Sequence, residues 1–121
     1  MDQSILRSTK KVLGIHVDDD TFDLDIITFI NSALSAIQQL GLGQGFFIVD
    51  DTAEWQEIVP DERLLGLIRT IVYLRTRMLF DPPTTSYTQS AMNAQIEELE
   101  WRLNVWREDT GWVDPSPSEA A

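Results

Sequence analysis

Few side chains in this sequence are able to do chemistry, and their spacing argues against each reaction in turn. His16 is the single histidine and there is no cysteine. That removes thiolate nucleophiles, zinc–thiolate sites and disulfides. A lone histidine with no serine, cysteine or second ligand placed by a motif reads as a surface residue. Asp18, Asp19 and Asp20 resemble the start of a calcium loop. Such a loop needs a glycine at its sixth position and a bidentate glutamate at its twelfth, and neither is present. Glu97, Glu98 and Glu100 resemble paired carboxylates for acid–base work. Their setting, next to Trp101 and Arg102 on a helix, is better explained by solvated charges and i,i+4 partners such as Glu98 with Arg102. The loop Gly41-Leu42-Gly43-Gln44-Gly45 is not followed by Gly-Lys-Ser/Thr, so it is no phosphate cradle. With no nucleophile elbow, HExxH or dinucleotide fingerprint either, the residues point to no enzyme, no cofactor and no metal.

Charge narrows the partners. The formal net charge is −11, from 20 acids against 9 bases, in 121 residues. Phosphate binding needs clustered cations, so wrapping nucleic acid is disfavoured. No apolar run approaches the roughly 20 residues of a membrane span, and no membrane contact is expected. Met1-Asp2-Gln3-Ser4 lacks a basic start followed by an apolar core, so no secretory signal is expected.

The elements follow from hydrophobic periodicity and punctuation. The expected fold is all-α: a small bundle of about four helices, a short extended or β segment near residues 46–49, and an extended C-terminal tail. The helical domain is expected over 1–107 and the tail over 108–121. The first helix, 2–13, has Ile5, Leu6, Thr9, Val12 and Leu13 on one side. Its basic cluster Arg7, Lys10 and Lys11 reads as a solvated face, the alternative being contact with an acidic neighbour. The second helix, 22–40, follows Asp20 or Thr21 as a cap, carries Asp23 and Asp25 in its first turn, and stops at Gly41. Phe46-Phe47-Ile48-Val49 has β-favouring residues but is too short for a helix. Asp51 or Thr52 is expected to cap a helical turn through Trp55.

The third helix, 61–79, follows Pro60 and is apolar over more than one face, as a central helix is. Arg69, Arg75 and Arg77 interrupt it. Each reaches water or pairs with a carboxylate, within the subunit or across an interface. Asp81-Pro82-Pro83 ends this helix, because a residue before proline is pushed out of helical geometry. The fourth helix, 88–106, has a core stripe of Met92, Ile96, Leu99, Leu103 and Trp106. A second stripe, Ala91, Ala94, Trp101 and Val105, lies on another side. Either a neighbouring subunit or a larger element of the same chain covers it. The tail, with its prolines and serines, has no helical period, and Trp112 and Val113 are its candidate anchors.

Taken together, the Gly loop followed by Phe46-Phe47-Ile48-Val49-Asp50-Asp51 and Trp55, the run Tyr73-Leu74-Arg75-Thr76-Arg77-Met78-Leu79-Phe80-Asp81-Pro82-Pro83, and Glu98-Leu99-Glu100-Trp101-Arg102-Leu103 resemble the head–tail connector (adaptor, head-completion) proteins of long-tailed bacteriophages. The likeness covers residues 20–107. It implies a structural virion protein at the head–tail interface, assembled in the host cytoplasm. Such subunits form a ring, usually of twelve copies, under the portal protein; the ring extends the DNA channel and docks the next tail-side (stopper) protein. DNA would pass without sequence-specific binding. A ring needs two different lateral surfaces on each subunit, and Arg69, Arg75, Arg77, Ala94, Trp101, Val105, Trp112 and Val113 are the candidates. Gly41, Gly43, Gly45, Phe46 and Phe47 would face the channel or the tail-side partner. The alternative function is a small helical phage regulatory or DNA-packaging accessory protein, which should show a basic recognition helix.

Overall fold

The computed structural model describes residues 3–59 and 61–110. Its helices run α1 Ile5–Val12, α2 Asp23–Gln39, α3 Glu62–Phe80 and α4 Ser86–Thr110, with one 3₁₀ turn at Trp55–Glu57. The all-α bundle is therefore as expected, while several boundaries shift for identifiable local reasons.

α1 starts late because Ser4 is extended and accepts a hydrogen bond from the Arg7 amide, as an N-cap does. Ser4 also forms an isolated antiparallel bridge with Glu54, and its hydroxyl donates to the Asp51 carbonyl at 2.8 Å. The N-terminal segment is thus tied to the loop before the 3₁₀ turn. At α2 neither Asp20 nor Thr21 caps the helix. Phe22 occupies the cap position without a side-chain bond, and Asp23 and Asp25 fill the first turn. Asp19 instead closes the preceding turn by accepting from the Thr21 amide at 3.0 Å. At the other end Leu40 caps and Gly41 follows at φ 95°, a left-handed geometry that glycine adopts without strain.

Residues 46–49 form no strand. Asn31 of α2 takes the place of a neighbouring strand: its amide donates to the Ile48 carbonyl at 3.0 Å and accepts from the Ile48 N–H at 2.9 Å. Gln38 donates to the Phe46 carbonyl at 2.8 Å. With these backbone groups satisfied by side chains, the segment needs no sheet. The 3₁₀ turn is capped by Glu54 and Glu57 in a reciprocal box, not by Asp51 or Thr52. Asp61 caps α3 by accepting from the Arg63 and Leu64 amides; Pro60 lies outside the described residues.

α3 is the central element, touching α2, α4 and the 3₁₀ turn. It buries Leu64, Leu65, Ile68, Ile71 and Val72 against Ile26, Ile30 and Ile37 of α2 and Leu103 of α4 within one core. Full burial of each such side chain contributes about 1.5–3 kcal/mol before entropy is counted. Trp55 is fully buried, donates from Nε1 to Ser8 Oγ at 2.9 Å and meets the Tyr73 ring edge-on at 5.7 Å. That one residue pins the 3₁₀ turn to both α1 and α3.

The Phe-Asp-Pro-Pro corner works as its residues require. Phe80 ends α3, and Asp81 turns out of helical geometry while its N–H still donates to the Arg77 carbonyl at 2.8 Å. Gln89 of α4 donates to the Pro83 carbonyl at 2.6 Å, and Thr85 Oγ1 accepts from the Thr88 amide at 3.2 Å, starting α4 two residues before the expected position. Phe80 also packs edge-on against Phe22, ring centroids 5.4 Å apart, locking the corner to the start of α2.

Candidate functional site

α4 carries the first candidate surface. Its inner stripe is Ile96 and Leu103, both buried, with Met92, Leu99 and Trp106 partly covered, as the sequence spacing requires. Its outer stripe is open: Ala91 and Ala94 are exposed, Trp101 is 64% exposed and Val105 is partly covered. Positions 94, 101 and 105 fall within a narrow arc at 3.6 residues per turn. Beside them Arg102 and Glu98 form the expected i,i+4 pair at 2.9 Å. Within the described chain no other element covers this face of α4. Tyr87, in its first turn, is 85% exposed. The trio of acids does not form a catalytic pair, because Glu98 is committed to Arg102 and Glu100 to Arg75.

The candidate arginines of α3, Arg69, Arg75 and Arg77, do not form one cluster. Arg75 faces α4, where its guanidinium meets the Glu100 carboxylate at 2.6 Å. A pair of this kind, in part-buried surroundings, clamps α3 to α4 within the subunit. Arg77 is exposed near the corner, and Arg69 is part-buried on the opposite flank of α3. The candidates Trp112 and Val113 lie outside the described residues.

The Gly loop is more closely held than its composition suggests. Gly41, Gly43 and Gly45 all have positive φ. Leu42 is buried in the core, Phe46 packs against it, and Phe47 is exposed. The Arg107 side chain lies 3.3 Å from where a Cβ on Gly41 would be, so the end of α4 rests on this loop. Phe47 and Val49 are left as its outward apolar groups.

A second surface escapes linear reading. Between α1, the loop after it and α3 lies an open cleft of about 860 Å³. Arg7, Lys11, His16 and Arg69 line it, together with Val12, Val17 and Tyr73, and no aspartate or glutamate does. The signal available in the sequence was Arg7 and Lys11 four apart on α1, and Gly66, Arg69, Thr70 and Tyr73 on one face of α3. Nothing local announced that these two faces meet. Nor is the basic cluster of α1 all solvated. Lys10 is only 2% exposed; its Nζ lies 2.7 Å from Asp23 Oδ1 and donates to the Val17 carbonyl at 3.1 Å. An ammonium this deep must be paired, and Asp23 and a carbonyl serve that need.

Asp19 and Asp50 are exposed carboxyls held below their usual range, chiefly by hydrogen bonds from the Thr21 and Thr52 side chains and then from the backbone N–H groups of the same residues. Both belong to loop turns rather than to a site. His16 is exposed and accepts from the Asp18 amide at 3.1 Å. Among the described residues no group of three potential ligands could hold a metal ion, and no helix is long and apolar enough to cross a membrane.

A family model described as "Phage connector protein" matches residues 5–110. No curated protein and no solved structure matches the chain.

Proposed function

The chain belongs to the phage connector protein family, a family of structural head–tail connector proteins and not of enzymes, and from that premise we propose that it is the head-to-tail adaptor. Copies assemble as a ring, of twelve subunits in our reading, under the portal. The ring lengthens the DNA channel and presents the docking platform for the tail-side stopper protein. Assembly takes place in the host cytoplasm before the particle is complete.

The observation that carries this reading is the outer stripe of α4, with Ala94 and Trp101 exposed and Val105 partly covered, on a helix otherwise anchored by its inner face. A closed ring needs a heterologous contact, one patch meeting a different patch on the next copy. The α4 stripe supplies an aromatic anchor, the residue type that concentrates binding energy. Other flanks of the bundle supply surfaces of different chemistry. The net charge of −11 suits a channel that lets DNA slide, since cationic walls would retain it. The rival regulatory or packaging role needs a basic recognition helix. α1 is the nearest approach, and its Lys10 is turned inward to Asp23.

Many like charges brought together in a ring repel, and salt screens that repulsion over about 8–10 Å at moderate ionic strength. Electron microscopy and sedimentation of the purified protein, across a salt series and with portal added, test the proposal. Rings with a central channel, promoted by salt or by portal, are expected. A protein that stays monomeric at every salt concentration and ignores portal would sink it.

A further inference from the structure

We propose that the cationic cleft between α1 and α3 is the seat for the acidic, tryptophan-bearing C-terminal segment of a second copy of this chain. The proposal rests on the reading that copies assemble side by side, and it names the contact that would link them.

Charge is the first argument. In a chain of net charge −11, the cleft gathers Arg7, Lys11 and Arg69 beside His16 with no carboxylate among its lining residues; Asp51 stands 3.9 Å from Arg7 and Asp18 3.7 Å from His16 at its edge, which leaves Lys11 and Arg69 as its open cations. Neither Lys11 nor Arg69 has an ion-pair partner among the described residues, whereas Lys10 beside them does. Such a patch attracts an anionic partner and sets its register. The walls supply the second argument. Val12 and Val17 are about half exposed there, and the rim of Tyr73 adds an aromatic surface. A bare phosphate backbone has no use for apolar walls; a peptide with both acids and a large apolar side chain does. Gly66 is the third. Glycine is the poorest helix former after proline, yet it occupies the interior of α3, and a Cβ there would meet nothing within 4 Å. The fold does not need that glycine, whereas a segment laid closely on the helix does.

The sequence contains a segment of matching chemistry. Beyond Arg107 come Glu108, Asp109, Trp112, Val113, Asp114 and Glu119, with no further basic residue. Reach favours another copy for its tryptophan. Gly66, Arg69, Thr70 and Tyr73 lie on one side of α3, and Arg75, which holds α4 through Glu100, lies on the other at 3.6 residues per turn. Trp112 is two residues past the end of α4 at Thr110. Two extended residues cover about 7 Å, less than the roughly 10 Å width of a helix, so Trp112 does not cross α3 from the α4 side; the doubly substituted chain in the test below decides the same question for the residues after it.

The absence of cysteine allows a direct test. Full-length Thr70→Cys and Val113→Cys proteins are mixed under mild oxidation. A disulfide between the two variants is expected, and adding Lys11→Glu with Arg69→Glu to the first should slow its formation by roughly tenfold or more. Circular dichroism should show the charge-reversed protein still helical. No disulfide between copies, or one indifferent to charge reversal, overturns the assignment. So does a chain carrying both cysteines that closes on itself at high dilution. In a second arm, a labelled peptide of residues 108–121 is titrated onto the full chain. Saturable binding weakened by the same charge reversal is expected; no binding, or displacement by a short single-stranded oligonucleotide at fixed salt, overturns the proposal. Rings seen by microscopy without cross-link or peptide binding would remove this contact and leave the ring reading standing. Peptide binding and cross-linked pairs without rings would do the reverse.

Discussion

α3 and α4 are neighbours joined by a rigid corner, yet they use their apolar residues in opposite ways. α3, 19 residues long, buries Leu64, Leu65, Ile68, Ile71, Val72 and Thr76. α4, 25 residues long, fully buries Ile96 and Leu103 among its described side chains and leaves Trp101 in solvent. The cause is the number of neighbours: α3 touches α2, α4 and the 3₁₀ turn, while α4 leans chiefly on α3. The fold's stability is therefore concentrated in α3, and α4 is a long one-sided arm with a face to spare. Core and assembly surface lie on adjacent helices, and mutations should separate them.

The largest effect is expected at the centre. Ile68→Ala, at a fully buried position of α3, should cost about 2–5 kcal/mol in urea unfolding. That is a large share of the roughly 5–15 kcal/mol available to a domain. A loss below about 1 kcal/mol would show that α3 is not the hub.

A smaller effect of opposite sign is expected one face away. Thr76 is fully buried and its hydroxyl has no hydrogen-bond partner. Thr76→Val keeps the shape and removes the unsatisfied group, so stability should rise by about 1 kcal/mol. A fall of similar size in the unfolding midpoint would mean that the hydroxyl is satisfied in solution, for example by a buried water.

The smallest change in stability should come from α4. Trp101→Ser should shift unfolding by no more than about 0.5 kcal/mol, as exposed substitutions do. The same variant should fail to form rings, which sedimentation reads directly. Loss of folding together with assembly would erase the contrast between the two helices.

The parts of this molecule that were legible in the sequence are those set by residues close along the chain. The inner stripe of α4, the Glu98–Arg102 pair and the Phe80-Asp81-Pro82-Pro83 corner all involve spacings within about one helical turn, and periodicity reports such spacings well. Boundaries were less legible. Helix α1 starts at Ser4's cap and not at residue 2, and Phe22 and Glu54 took cap positions that local preference assigned elsewhere, because the chain paths around them are tied to distant partners. The segment at 46–49 has strand-like residues and no strand, because Asn31 and Gln38, on another element, satisfy its backbone. Of the candidate surfaces, the Trp101 stripe followed from periodicity, whereas the division of Arg69 and Arg75 between opposite flanks needed the neighbours of α3 to be known.

The sequence by itself determined an all-α chain of four helices, a proline-enforced hairpin between the last two, and a strongly acidic charge balance. These depend on local propensity, on periodicity and on composition. Only the tertiary structure decided that Lys10 turns inward to Asp23 while Arg7 and Lys11 stay at the surface, and that residues 7–17 and 66–73 share one cleft. The physical reason is that burial and electrostatic surroundings belong to packed neighbours. Three basic residues within five positions of α1 had no distinguishing mark until α2 and α3 were placed against them.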